Sequence, residues 1–88
     1  MEIYFHKNFK KALAKQPIKI QEKFFKAIEI FQDNPYHPKL NNHSLQGELK
    51  NFRSLDVTGD VRAHYRIGEK DNQIILVNIG THPKLYKK

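Results

Sequence analysis

Residues 52–79 read FRSLDVTGDVRAHYRIGEKDNQIILVNI, and the pattern within them decides the fold. Along Val61–Ile67 the residues Val61, Ala63, Tyr65 and Ile67 alternate with Arg62, His64 and Arg66. That period of two is expected of a strand with one covered face. Phe52–Val57 reads as the strand before it, joined through a two-residue Thr58-Gly59 turn. Gly68–Asn72 turns the chain again, and Ile74–Ile79 is almost wholly apolar, as suits a strand covered on both faces. Gly80-Thr81-His82-Pro83 closes that run, and Leu85-Tyr86 forms a last short segment.

Upstream the period changes. In the opening residues Ile3 and Phe5 alternate with Glu2, Tyr4 and His6, which predicts a short strand. Asn8 is placed to cap a first helix carrying Phe9, Ala12 and Leu13 on one side. Pro17 starts a second helix, where its missing N–H does no harm. There Ile20, Phe24, Ala27, Ile28 and Phe31 recur at helical spacing until Asp33-Asn34-Pro35 stops them. The order β-α-α-β-β-β predicts an α+β fold: a small antiparallel sheet with a helical hairpin packed on one face. Residues 1–88 form one domain with no internal linker, repeat or low-complexity segment.

A chain this short hides only about 60% of its unfolded surface, enough for one core. The absence of cysteine excludes disulfides and thiolate metal sites. No apolar run reaches the roughly 18–20 residues of a membrane span, and the charges of MEIYFHKNFKK follow its apolar residues, the reverse of a secretory leader. A cytoplasmic protein without membrane contact is expected. The formal charge of +7, from 16 Lys and Arg against 9 Asp and Glu, points to a polyanion or an acidic protein as partner. Arg53, Arg62 and Arg66 all lie in the back half, and their planar forks suit phosphate oxygens.

If helices cover the apolar side of Val61–Ile67, then Arg62, His64 and Arg66 form a cationic floor on the other side, bordered by Arg53. Such a floor suits a nucleic-acid backbone; an ordinary solvated sheet face is the plainer reading. His82 follows a strand that should be central, after a glycine that permits a sharp turn, and emerges at the sheet rim. His43 precedes Ser44-Leu45-Gln46-Gly47, again where a loop enters a strand. Two histidines suit divided acid and base roles in RNA cleavage, with arginine steadying the phosphoryl oxygens. Asp60 suits orienting a histidine or acting as a base, or is simply a hairpin residue; Asp56 is equally ambiguous. Tyr86 suits stacking on a base or anchoring the chain end. Zinc competes for paired histidines, but there is no HExxH and no cysteine, so no metal and no cofactor are expected. His6 and His37 belong to no constellation and read as surface residues.

The ordered set resembles the RelE/YafQ-type toxins of bacterial type II toxin–antitoxin systems. It comprises His43, Leu45 and Gly47, then Phe52-Arg53, Asp60, Tyr65, and finally Gly80-Thr81-His82 with Tyr86 four residues on. It covers about half the chain. The resemblance implies an mRNA endonuclease working on the ribosome and silenced by a cognate acidic antitoxin. By position it implies His82 as general acid, with His43 and Asp60 as acid–base or orienting partners. Arg62 matches the strand arginine that steadies the phosphate, and Tyr86 the aromatic that touches a base. Lys50, Arg53, Arg66, Lys84 and Lys87 complete the expected RNA contacts. One departure stands out: such toxins often follow the aromatic-Arg pair with an acid and then a histidine, where this chain has Ser54 and Asp56. Two other readings stay open. One is a toxin of the same fold acting on a protein such as DNA gyrase, whose relatives generally lack the histidines. The other is a non-catalytic RNA- or partner-binding module, which needs the basic floor alone.

Overall fold

In the computed structural model, which describes residues 1–85 apart from the side chains of His82 and Lys84, the chain folds as β1 (Glu2–Phe5), α1 (Lys7–Ala14), α2 (Ile18–Asp33), β2 (His43–Ser44), β3 (Arg53–Asp56), β4 (Val61–Ile67), β5 (Gln73–Thr81) and α3 (His82–Leu85). Single 3-10 turns at Pro38–Leu40 and Gly47–Leu49 flank β2. Tyr86 and Lys87 lie outside the described residues. The strands form one sheet in the order β1-β5-β4-β3-β2. The three back-half strands pair antiparallel as expected, but β1 joins β5 in parallel, so the sheet is mixed.

Two helix starts differ from expectation. The cap of α1 is His6, whose Nδ1 accepts the Asn8 N–H at 3.0 Å. Asn8 itself lies inside the first turn, because the chain leaves β1 extended only as far as His6. Pro17 is the residue before α2 rather than its first member, and its fixed φ of −55° still presets the turn. Asn34 is extended, as a residue before proline must be, and α2 ends there.

The helices cover one sheet face. Phe9 and Leu13 of α1 and Phe24, Ala27, Ile28 and Phe31 of α2 meet Leu55, Val61, Ala63, Tyr65, Ile74, Leu76 and Ile79 in one core. Phe5, Phe9 and Phe24 form its aromatic centre, with ring centroids 5.1–5.9 Å apart. Burying each such ring stabilises the fold by about 2–3 kcal/mol. The other face stays largely open. β5 is therefore covered on one side only, with Ile75 and Val77 half-buried and Asn78 exposed, against the reading of a strand buried on both. The turn between β3 and β4 is also wider than two residues: Asp56 pairs with Arg62, and residues 57–60 make the connection. Thr58 Oγ1 organises it by accepting the Asp60 and Val61 N–H groups.

Tyr65 ties core to edge. Its ring meets Phe31 edge-on at 5.3 Å, and its hydroxyl accepts from Asn42 Nδ2 at 2.9 Å. The Asn42 amide also donates to the Pro35 carbonyl and accepts from Arg53 Nε, so one side chain fastens the long loop to β3 and β4. Burial pushes the Tyr65 phenol above its ordinary pKa of 10.0, partly offset by the Asn42 hydrogen bond and the Arg53 charge. The folded state thus favours the neutral phenol. That contribution is complete below about pH 10 and is lost as pH climbs through the raised value, because the unfolded chain ionises first. In urea unfolding from about pH 9 to 11.5, the wild-type chain should lose more stability than Tyr65→Phe. Equal losses would show that the phenol stays hydrated in the fold.

Candidate active site on the open sheet face

Pairing across the sheet sorts the polar residues into rows. His43 faces Ser54, Ser54 faces His64, and His64 faces Asn78. Directly paired residues of antiparallel strands share a face, and strands lie about 4.8 Å apart, so His43 and His64 stand about 10 Å from each other on one line. The neighbouring row runs Asp56, Arg62, Gly80. Between His64 and Tyr65 the register with β5 shifts, leaving Val77 as an extra residue on β5. Such a bulge increases the local twist and re-aims side chains, and here it falls beside the histidine row.

His43 is exposed, and its Nδ1 lies 2.7 Å from the Asn41 carbonyl oxygen. A carbonyl only accepts, so Nδ1 carries the proton and the neutral ring offers the Nε2 lone pair. Asn41 can aim its carbonyl this way because it takes a left-handed φ of 45°, which asparagine tolerates. Asp60 is exposed at the hairpin tip, and together with Arg62, Thr81 and Pro83 it lines a cavity of about 590 Å³. The fold therefore brings Asp60 and Arg62 beside the segment holding His82. His82 is the first residue of α3, directly after β5. Gly80 is not part of a turn: it sits in β5 opposite Arg62, and a Cβ there would meet Leu85 at an ordinary 3.5 Å.

The cationic floor needs correction. His64 is only 4% exposed and Ser54 is fully buried beside it, so neither is solvated. Ser54 Oγ has no hydrogen-bond partner among the described residues. Arg62 is not free of acids: its Nε lies 3.0 Å from Asp56 Oδ1, and its Nη1 donates to the Thr58 and Gly59 carbonyls. The rule of alternation missed this because Asp56 becomes its neighbour only through strand pairing. Arg53 does not border the floor at all. It pairs with Tyr65 on the helix side, donates to Asn42 at 2.8 Å and lies over the Tyr36 ring at 5.7 Å. Arg66 stays on the open face, lining a second cavity of about 400 Å³ with His64, Leu49, Phe52 and Leu85. Lys50 ends the Gly47–Leu49 turn and is exposed. The side chains expected at His82 and Lys84, and all of Tyr86 and Lys87, fall outside the described residues.

His6 and His37 are surface residues with a definite task. Each accepts a backbone N–H two residues on, from Asn8 and Lys39, and so starts a helical turn. The apolar wall of Leu49 and Phe52 was not expected. It is built by the Leu45 N–H bonding to the Phe52 carbonyl, which closes the loop, and by Gly47 at a φ of 65°.

This architecture is that of small bacterial toxins. YafQ of Escherichia coli superimposes with a TM-score of 0.80 at 23% identity, covering 98% of each chain. The RelBE2 toxin–antitoxin complex of Mycobacterium tuberculosis matches with a TM-score of 0.74 at 20% identity, over 92% of this chain and 96% of that one. A metal-bound toxin of Helicobacter pylori matches with a TM-score of 0.70 at 28% identity, over 98% and 99%. The family described as the bacterial toxin of type II toxin–antitoxin systems, YafQ, matches residues 1–87, and the chain belongs to that family. No curated protein matches it significantly. Membership makes the chain the toxin half of a pair whose other half is an antitoxin.

The loop glycines give a clean test of the site's frame. A Cβ at Gly47 or at Gly59 would meet nothing within 4 Å, but only Gly47 has a positive φ. Gly47→Ala should therefore cost about 1–2 kcal/mol in urea unfolding, and Gly59→Ala under about 0.5. Equal costs would show that the Gly47 turn relaxes without strain.

Proposed function

We propose that the chain is a metal-independent endoribonuclease that cuts mRNA on the ribosome, in the cytoplasm, and is silenced by an acidic antitoxin laid over the open face. The observation carrying this reading is the adjacency of the histidine row to the Asp60–Arg62 cavity that flanks His82. The RNA supplies its own nucleophile, the 2′-OH beside the scissile phosphate. His43 takes that proton at Nε2, or Asp60 takes it where the substrate lies nearer the hairpin. His82 protonates the departing 5′-oxygen, and Tyr86 lies against a base. Arg62 steadies the phosphoryl oxygens by exchanging Asp56 for phosphate, and the remaining cations, including Lys50, Lys84 and Lys87, hold the RNA backbone. Family membership supports the toxin role, and the Nδ1–H of His43 bonded to a carbonyl supports its use as a base.

Three results are expected together. Cleavage persists in EDTA as long as the ribosomes stay intact. Products carry a 2′,3′-cyclic or 3′-phosphate and a 5′-OH. A single 2′-deoxy substitution at the cut abolishes it. Cutting of the deoxy substrate would assign the attack to water and overturn the mechanism. His82→Ala and His43→Ala should each reduce single-turnover cleavage by about 10²–10⁴-fold while the chain stays folded. Full toxicity of a folded His82→Ala chain would remove His82 from the chemistry.

A further inference from the structure

The three arginines of the back half differ in what they already hold. Arg53 is bound to Asn42 and Tyr36, and Arg62 to Asp56 and two carbonyls. The Arg66 guanidinium makes no hydrogen bond or ion pair with a described residue. It lines the cavity of about 400 Å³ whose walls are Leu49, Phe52 and Leu85. His6, Asn8, His64 and Asn78 are the other polar residues of the lining, and two of them offer a donor. His6 accepts the Asn8 N–H at Nδ1, so the neutral ring carries its proton on Nε2. Asn78 accepts the Ile79 N–H at Oδ1, which leaves its NH2 as the group it offers. Among the described residues, no carboxylate lines the cavity.

A pocket with apolar walls, an aromatic ring, a guanidinium bound to no described residue, and N–H donors from His6 and Asn78 selects a ligand of matching chemistry. The ligand is flat and weakly polar on its faces, rich in acceptors at its edge, and anionic at one end. A nucleotide has that description: its base offers π-faces for Phe52 and ring nitrogens and carbonyls for His6 and Asn78, and its phosphate suits the Arg66 fork. We propose that this cavity is a nucleotide subsite for the RNA strand, with Arg66 as its phosphate anchor and Phe52 as its stacking surface. The proposal rests on the RNA-cleaving reading and adds to it a place where a nucleotide beside the cut is held. Arg66 acts here in binding, apart from the Asp60–Arg62 cavity where the bond is broken.

The test is an amide-shift titration of the isotope-labelled full chain with adenosine 3′-monophosphate, with adenosine and inorganic phosphate titrated separately. The nucleotide should shift the amides of Phe52, Arg66, Val77 and Asn78, and each fragment alone should bind at least about tenfold more weakly. Arg66→Gln, a change on a half-exposed strand position, should weaken nucleotide binding about tenfold or more and leave distant amides unmoved. Phe52→Leu should weaken it while preserving the apolar wall. Phosphate shifting the same amides as tightly as the nucleotide would reduce the cavity to an anion site and overturn the proposal. So would shifts produced by a short glutamate-rich peptide and not by the nucleotide, which would assign the cavity to a protein partner. RNA cleavage by the wild-type chain separates the two readings. An active nuclease whose cavity amides ignore the nucleotide loses the subsite alone. A chain that binds nucleotide there but cuts no RNA, with or without ribosomes, loses the catalytic reading alone.

Discussion

The register of β4 between β3 and β5 holds the molecule's two sides apart. Val61, Ala63 and Tyr65 fill the core, Ile67 at the strand end is exposed, and the even-numbered residues face the open side. A slip of one residue against either neighbour would carry Arg62, His64 and Arg66 into the core and put Tyr65 outside. Several contacts resist that slip. Tyr65 is held by Phe31 and by the Asn42 amide, and Ala63 is fully buried where any displaced side chain would be too large. The polar rows of the open face are thus fixed from behind, by the packing of the core.

Charge is spent unevenly over this frame. The formal +7 suggests a surface uniformly attractive to anions, yet two of the three arginines serve the protein's own structure in the free chain. Arg53 joins the long loop to the sheet through Asn42, and Arg62 stiffens the hairpin by binding its carbonyls and Asp56. Both side chains of the Arg62–Asp56 pair are partly exposed, although Asp56 Oδ1 itself is buried, so water screens the pair only in part. On the proposed reading a phosphate would take the place of Asp56 on the guanidinium, while the hairpin carbonyls go on holding it.

Much of this is legible in the sequence, and the parts that are not share one cause. β4 was delimited to the residue because alternation is a local property of the chain. The helical hairpin followed from the spacing of Phe24, Ala27, Ile28 and Phe31 for the same reason. What escaped was set by partners distant in sequence. His64 looks solvated from its own strand, yet it is 4% exposed in the fold. Asp56 looks equivocal until pairing sets it opposite Arg62. Asn8 is the better capping residue by type, but the end of β1 places His6 first. Arg53 follows the strand alternation too, yet it falls on the helix side because Phe52, not Arg53, shares the face of Arg66. Of the candidate site, the residue types and their order were legible. Their division into separate cavities was not.

The parallel pairing of β1 with β5 sets an order on how the chain can be completed. Glu2 lies beside Gln73, 71 positions later, and Phe5 beside Leu76. Closing so long a loop costs entropy that local contacts cannot return, so this pairing forms late. During synthesis the first strand must wait, unpaired, until β5 emerges. β5 also supplies Asn78 and Gly80 to the two polar rows and leads directly into His82. A nascent chain therefore has no open face to offer until β5 has emerged, and the sheet and the candidate site are completed by the same strand.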